Sequence, residues 1–171
     1  MPSAPHSDGL DADFTRSRGA APVGRMDELP RLEAVAILFM RMWCDGGEQR
    51  QRIAADLTLA LGDTDAAIAT GLFDDLMRLT LSCARRPLMR HGVPCQCFGG
   101  DECAFANMLV AAMTGDREEA MLFSAILING QATWPAIALA QELTPYLLRF
   151  TRATQRMRTT HPNTAGPGRH H

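Results

Sequence analysis

Apolar side chains recur along this chain at helical spacing, and no run shows the strict alternation and β-branched richness of a strand. The first helical segment is expected from about Asp27 to Cys44, with Leu32, Val35, Ala36, Phe39, Met40 and Trp43 on one face. Asp27 can cap it, Pro30 suits a first turn, and Asp45-Gly46-Gly47 stops it. A second helix, Glu48–Leu61, sets Ile53, Leu57 and Leu61 inward and Glu48, Arg50 and Arg52 towards water. Gly62-Asp63 punctuates the chain before a third helix ending near Ala84, where Ala67, Ile68, Leu72, Leu76 and Leu79 are the expected inner positions.

The second half continues in the same way. Asp101 is placed to cap a fourth helix through Thr114, with Phe105, Met108, Leu109 and Ala112 inward. Gly115-Asp116, with Glu119 at capping-box spacing, opens a fifth helix, Arg117–Ile128. That helix is apolar on most sides from Met121 onward, which predicts a central position. A sixth helix runs from about Trp134 to Arg158, and Pro145 should bend or split it. These elements predict an all-α fold, a compact bundle of five to six helices in one domain over 26–158. The stretches 1–25 and 159–171, rich in small and turn-forming residues, are expected to be disordered tails.

At 171 residues the chain suffices for one domain with a real core, and its 46% hydrophobic content is that of a soluble globular protein. Ala120–Gln141 carries no charge and has the length of a bilayer span. Asn129-Gly130-Gln131 and Trp134-Pro135 interrupt it, so two buried helices meeting at a turn fit better than a membrane segment. A net charge of −2 argues against general nucleic-acid affinity. All 17 basic residues are arginine, which removes Schiff-base chemistry and a phosphate-loop lysine. The five cysteines, with no secretory leader visible before them, point to a reducing cytoplasm with free or metal-bound thiols.

The chemistry that the sequence does concentrate lies in His91–Cys103, which brings His91, Cys95, Cys97 and Cys103 into the order H-x3-C-x-C-x5-C. That set includes three of the five cysteines and the one histidine outside the expected tails. Four soft or imidazole donors are what a zinc ion takes, although structural zinc sites usually present C-x2-C knuckles. Cys95 and Cys97 flank one residue, so an extended backbone points both sulfurs to the same side. Packing without chemistry is the simplest reading of these cysteines, and no cofactor is then needed; zinc is the alternative. A redox thiol is a further one, with Arg85, Arg86 and Arg90 near in sequence to favour thiolate. A Cys–His nucleophile would use His91 and needs an orienting third group that the sequence does not locate. Asp74, Asp75, Asp101 and Glu102 read as solvated helix faces rather than acid–base pairs. His170 and His171, at the very end, are left out of the metal argument.

Two patterns outside this stretch bear on partners. Arg149, Arg152 and Arg156 fall on one helix face and offer a site for an acidic partner or a phosphate, though a helix C-terminus also favours cations. Met40, Met42, Met77, Met108, Met113 and Met121 lie at core spacing and read mainly as packing. No phosphate loop or catalytic constellation accompanies them. The leading expectation is a non-enzymatic cytoplasmic interaction or regulatory protein, a homodimer through its fifth and sixth helices. A thiol- or metal-responsive sensor and a nucleic-acid accessory are the alternatives.

Overall fold

The computed structural model describes residues 21–160, so the expected disorder of 1–20 and 161–171 lies outside the described residues. Among those described, six helices and one small sheet follow in the order β1 Pro22–Arg25, α1 Arg31–Asp45, α2 Gly47–Leu61, α3 Asp63–Ser82, β2 Cys97–Gly99, α4 Gly100–Thr114, α5 Arg117–Leu127 and α6 Gly130–Thr160. A single 3-10 turn, Met26–Glu28, links β1 to α1. No helix among them is long and apolar enough to cross a membrane.

The helix boundaries follow the punctuation of the sequence. Gly46, Gly62 and Gly115 all adopt positive φ, and Gly115 is left-handed behind α4, where a side chain would be strained. The Asp116 carboxylate accepts the backbone N–H of Glu119 at the start of α5. Asp63 is the first residue of α3 and makes no side-chain cap, and Gly62 before it has a φ of 82°.

Packing departs from the amphipathic reading in two places. In α3 the buried positions are Ala66, Ala69, Phe73, Leu76, Met77 and Thr80, while Ala67 and Ile68 face solvent. Turning the helix this way buries the Phe73 ring among the aromatic side chains of neighbouring helices. Phe73 then stands edge-on to Phe39 of α1 at 5.9 Å and to Phe105 of α4 at 6.4 Å, and Phe39 meets Phe150 of α6 at 5.2 Å. This aromatic row ties four helices together. Met40, Met42, Met77 and Met108 are buried in the same core, in keeping with packing, whereas Met113 and Met121 are exposed.

The second departure concerns the centre of the bundle. It is α4, not α5, that packs against α1, α5 and α6. Its Ala104, Ala106, Ala111 and Ala112 are buried and let neighbouring helices approach closely. Helix α5 lies outside and buries only Ala120, Ser124 and Leu127, leaving Leu122 71% exposed beside Met121 and Ile126. Helix α6 is continuous through Pro135 and Pro145, both exposed, so it is not split. The carbonyls those prolines leave without an N–H partner stand on the wet side. It also extends past Arg158 to Thr160, so the expected C-terminal tail begins in helix.

The sheet was not expected from the sequence. β1 pairs antiparallel with β2, with Gly24 opposite Phe98 and Arg25 opposite Cys97, so 22–25 belong to the fold rather than to a tail. Two strands of three or four residues are too short to show a period of two, and the partner lies over seventy residues away in sequence. Gly24 is needed here: a Cβ at that position would sit 2.7 Å from the Phe98 ring.

Candidate metal and thiol centre

Between α3 and α4 runs the segment 83–99, with little regular secondary structure before β2. It is held at both ends and in the middle by named bonds. At its start, Ala84 bridges Ile128, Arg85 N–H donates to the Leu127 carbonyl at 3.0 Å, and Asn129 N–H donates to Cys83 at 3.0 Å. At its end, Cys97–Gly99 is the strand β2.

The middle is organised by two adjacent carboxylates in the first turn of α4, Asp101 and Glu102, which are 1% and 0% exposed. They were expected on a solvated face, and the structure corrects that. Asp101 takes both Arg86 guanidinium nitrogens at 2.6 and 2.7 Å and the Met89 N–H at 2.9 Å, so it does not cap α4. Glu102 accepts from Arg41 Nε at 2.7 Å and Arg41 Nη2 at 3.1 Å, from the backbone of His91 at 2.9 Å and of Gly99 at 2.7 Å, and pairs with His91 Nδ1 at 2.8 Å. A helix N-terminus is where such acids are favoured. Burial alone would push the Glu102 carboxyl up, but Arg41, His91 and the two backbone N–H groups outweigh it and hold it below the usual carboxylate range.

Arg41, a core position of α1 and fully buried, completes the hub. Besides Glu102 it donates to the carbonyls of Gly92 at 3.3 Å, Cys95 at 2.8 Å and Cys97 at 2.6 Å. Every N–H of its guanidinium thus meets an acceptor, which is what a charge in the core requires. Among the described residues no buried side-chain nitrogen or oxygen lacks a partner. Sequence reasoning missed Arg41. An arginine within an apolar helical face was the available signal.

This hub sets out the candidate chemistry. Ligand atoms of His91, Cys95 and Cys97 lie within 4.8 Å of one another, each residue partly exposed. The Cys95 and Cys97 sulfurs are 2.7 Å apart. A proton shared between them lowers the Cys95 thiol and raises that of Cys97. Because ionised Glu102 only accepts, Nδ1 of His91 carries the hydrogen on that side of the ring, and Nε2 is the nitrogen left for another partner. Glu102 is therefore the orienting group that the sequence did not locate.

Cys103, the fourth predicted ligand, is not among the three; its sulfur accepts from the Asn107 amide at 3.3 Å, and burial pushes its thiol up. The arginines expected to favour thiolate are spent elsewhere, Arg85 on the Ala125 carbonyl, Arg86 on Asp101 and Arg90 on Asp45. The cation that acts on Cys95 is Arg41.

Far along the chain, Arg149, Arg152 and Arg156 line a surface hollow of about 290 Å³ with Ala60, Leu61 and Ala153. Arg149 also pairs with Asp65 at 2.7 Å. The stripe thus gathers at one site, apart from the thiol centre in sequence.

Taken together, the chain is a helical bundle whose longest connection presents an imidazole and two thiols from a buried ionic hub. No family model matches the chain, and no curated protein or solved structure matches it significantly.

Proposed function

We propose that this protein is a non-enzymatic regulatory bundle that responds to a soft metal ion, zinc first, held by His91, Cys95 and Cys97. The observation that carries the reading is the convergence of these three donors, with Glu102 holding the His91 ring through Nδ1. A carboxylate in that position fixes tautomer and ring direction, as it does behind metal-bound histidines generally. Zinc–sulfur bonds of about 2.3 Å put two thiolates on one tetrahedral ion about 3.8 Å apart. The Cys95 and Cys97 sulfurs must open from 2.7 Å to reach that spacing, which a rotation of one side chain supplies. Three protein donors leave the fourth position to water or an outside ligand, so the site is open, unlike the closed four-ligand sites of structural zinc.

A nucleophilic Cys–His role fits less well. Glu102, which orients the His91 ring, already accepts from Arg41 and from the backbone N–H groups of His91 and Gly99, so its charge is shared among several donors. Free thiols and an exchangeable metal both suit a reducing compartment, for which the cytoplasm is the expectation.

Metal titration of the reduced, chelator-treated protein tests the proposal. One zinc or cobalt ion per chain is expected, with the sulfur-to-cobalt charge-transfer absorption lost in Cys95→Ser and Cys97→Ser and kept in Cys103→Ser. Wild-type protein that retains no metal, or binding indifferent to Cys95 and Cys97, overturns it.

The exposed apolar positions Leu122, Ile126 and Trp134 support an output through contact with a second copy. Light scattering that shows a monomer at every concentration, with and without zinc, removes that part.

A further inference from the structure

We infer that Cys95 and Cys97 also form a two-electron redox switch, in which a hydroperoxide closes them into a disulfide and thereby takes both sulfurs away from the metal. The site is the one proposed above, but the switch does not depend on the metal and can be measured without it.

The argument is geometric. The two sulfurs are 2.7 Å apart and both residues are partly exposed, so a small oxidant reaches them and each is within reach of the other. Their backbone is already fixed. Arg41 holds the carbonyls of both cysteines, Cys95 N–H donates to Gly92, and Cys97 is paired with Arg25 across the sheet. Only side-chain rotation separates the dithiol from the disulfide. Cys103 is engaged by Asn107 and stands outside the cluster, which limits the exchange to one pair.

The chemistry balances with the hydroperoxide alone. One sulfur, as thiolate, attacks an oxygen of the peroxide; the O–O bond breaks, an alcohol leaves with a proton, and the sulfur becomes a sulfenic acid. The second sulfur attacks the first, the S–S bond forms, the S–O bond breaks, and hydroxide leaves with a proton as water. The two thiols give up two electrons and two protons, which appear in the alcohol and the water. A disulfide closing over a single intervening residue is held in a small ring away from relaxed geometry, which makes it easily reduced. Ordinary cellular thiols therefore reopen it, as they do labile regulatory disulfides but not structural ones.

Metal and disulfide compete for the same sulfurs. Zinc protects the pair, and peroxide acting on the zinc-loaded protein ejects the ion.

The experiment treats the reduced, metal-free full chain with one equivalent of cumene hydroperoxide, followed by intact mass and peptide mapping. The expected result is a loss of two hydrogens mapped to Cys95–Cys97, reversed by glutathione. Cys97→Ser should stop at a sulfenic acid on Cys95 that dimedone traps, Cys95→Ser at one on Cys97, and Cys103→Ser should behave as wild type. A disulfide mapped to Cys103, independent overoxidation of the two sulfurs, or no reaction overturns the switch. A second arm repeats the treatment on zinc-loaded protein with a chromogenic chelator, where one zinc per disulfide should appear. Zinc bound without any disulfide refutes the switch alone, and a disulfide in a chain that binds no zinc refutes the metal reading alone.

Discussion

Arg41 and Glu102 face each other with almost no access to water, an ion pair 2.7 Å long inside the core. Removing one partner of such a pair leaves an uncompensated buried charge, so Arg41→Met or Glu102→Gln should each cost about 3–5 kcal/mol in chemical denaturation. The folded carboxyl of Glu102 sits below its ordinary value near 4.5. The unfolded chain then binds the proton more tightly, and the stability Glu102 contributes is complete above about pH 4.5 and is lost as pH falls through the lower folded value. Melting temperature should therefore fall with acidification below about pH 4.5, and Glu102→Gln should flatten that limb. A limb equally steep in Glu102→Gln would place the acid sensitivity elsewhere. The same residue was visible in the sequence only as one of two neighbouring acids, since neighbouring acids on a helix usually lie in water. Its burial follows from Arg41, which is 61 residues away and reaches it only after α1 and α4 pack.

Among the elements, the stretch between α3 and α4 is the one that brings His91, Cys95 and Cys97 together, and it is shaped from outside itself. Its irregularity was legible from Pro94, Gly99 and Gly100. Its path was not, because the bonds that hold it come from Arg41, Asp101, Glu102 and the corner between α5 and α6. The strand pairing of β1 with β2 belongs to the same scale. Gly24→Ala drives a Cβ into the Phe98 ring and should destabilise the fold by about 1–3 kcal/mol, the usual cost of overpacking. It should also raise amide exchange at Met26, which donates to the Gln96 carbonyl at 2.8 Å. Unchanged exchange there would mean the sheet does not restrain the segment.

For the whole molecule, the row Phe150–Phe39–Phe73–Phe105 is the link between α6, α1, α3 and α4. Phe39→Ala removes one of its two inner members and should cost about 3–5 kcal/mol by denaturant titration. A loss confined to well under that would show that the helices collapse around the gap. The bundle also explains why the apolar α5 is peripheral: a helix of mixed large side chains cannot be approached from three sides as closely as the alanine-rich α4 can.

The six helices, their glycine punctuation, the Asp116 cap and the clustering of His91, Cys95 and Cys97 in one turn-rich connection were determined by the sequence itself. These are local matters, fixed by spacing, capping and the conformations that glycine and proline allow. The tertiary structure alone decided which helix is central, that residues 22–25 form a strand, that Cys103 turns away, and that Arg41 and Glu102 orient the site. Each of those depends on groups distant along the chain competing for the same buried volume or the same hydrogen bond, and no local pattern records who wins.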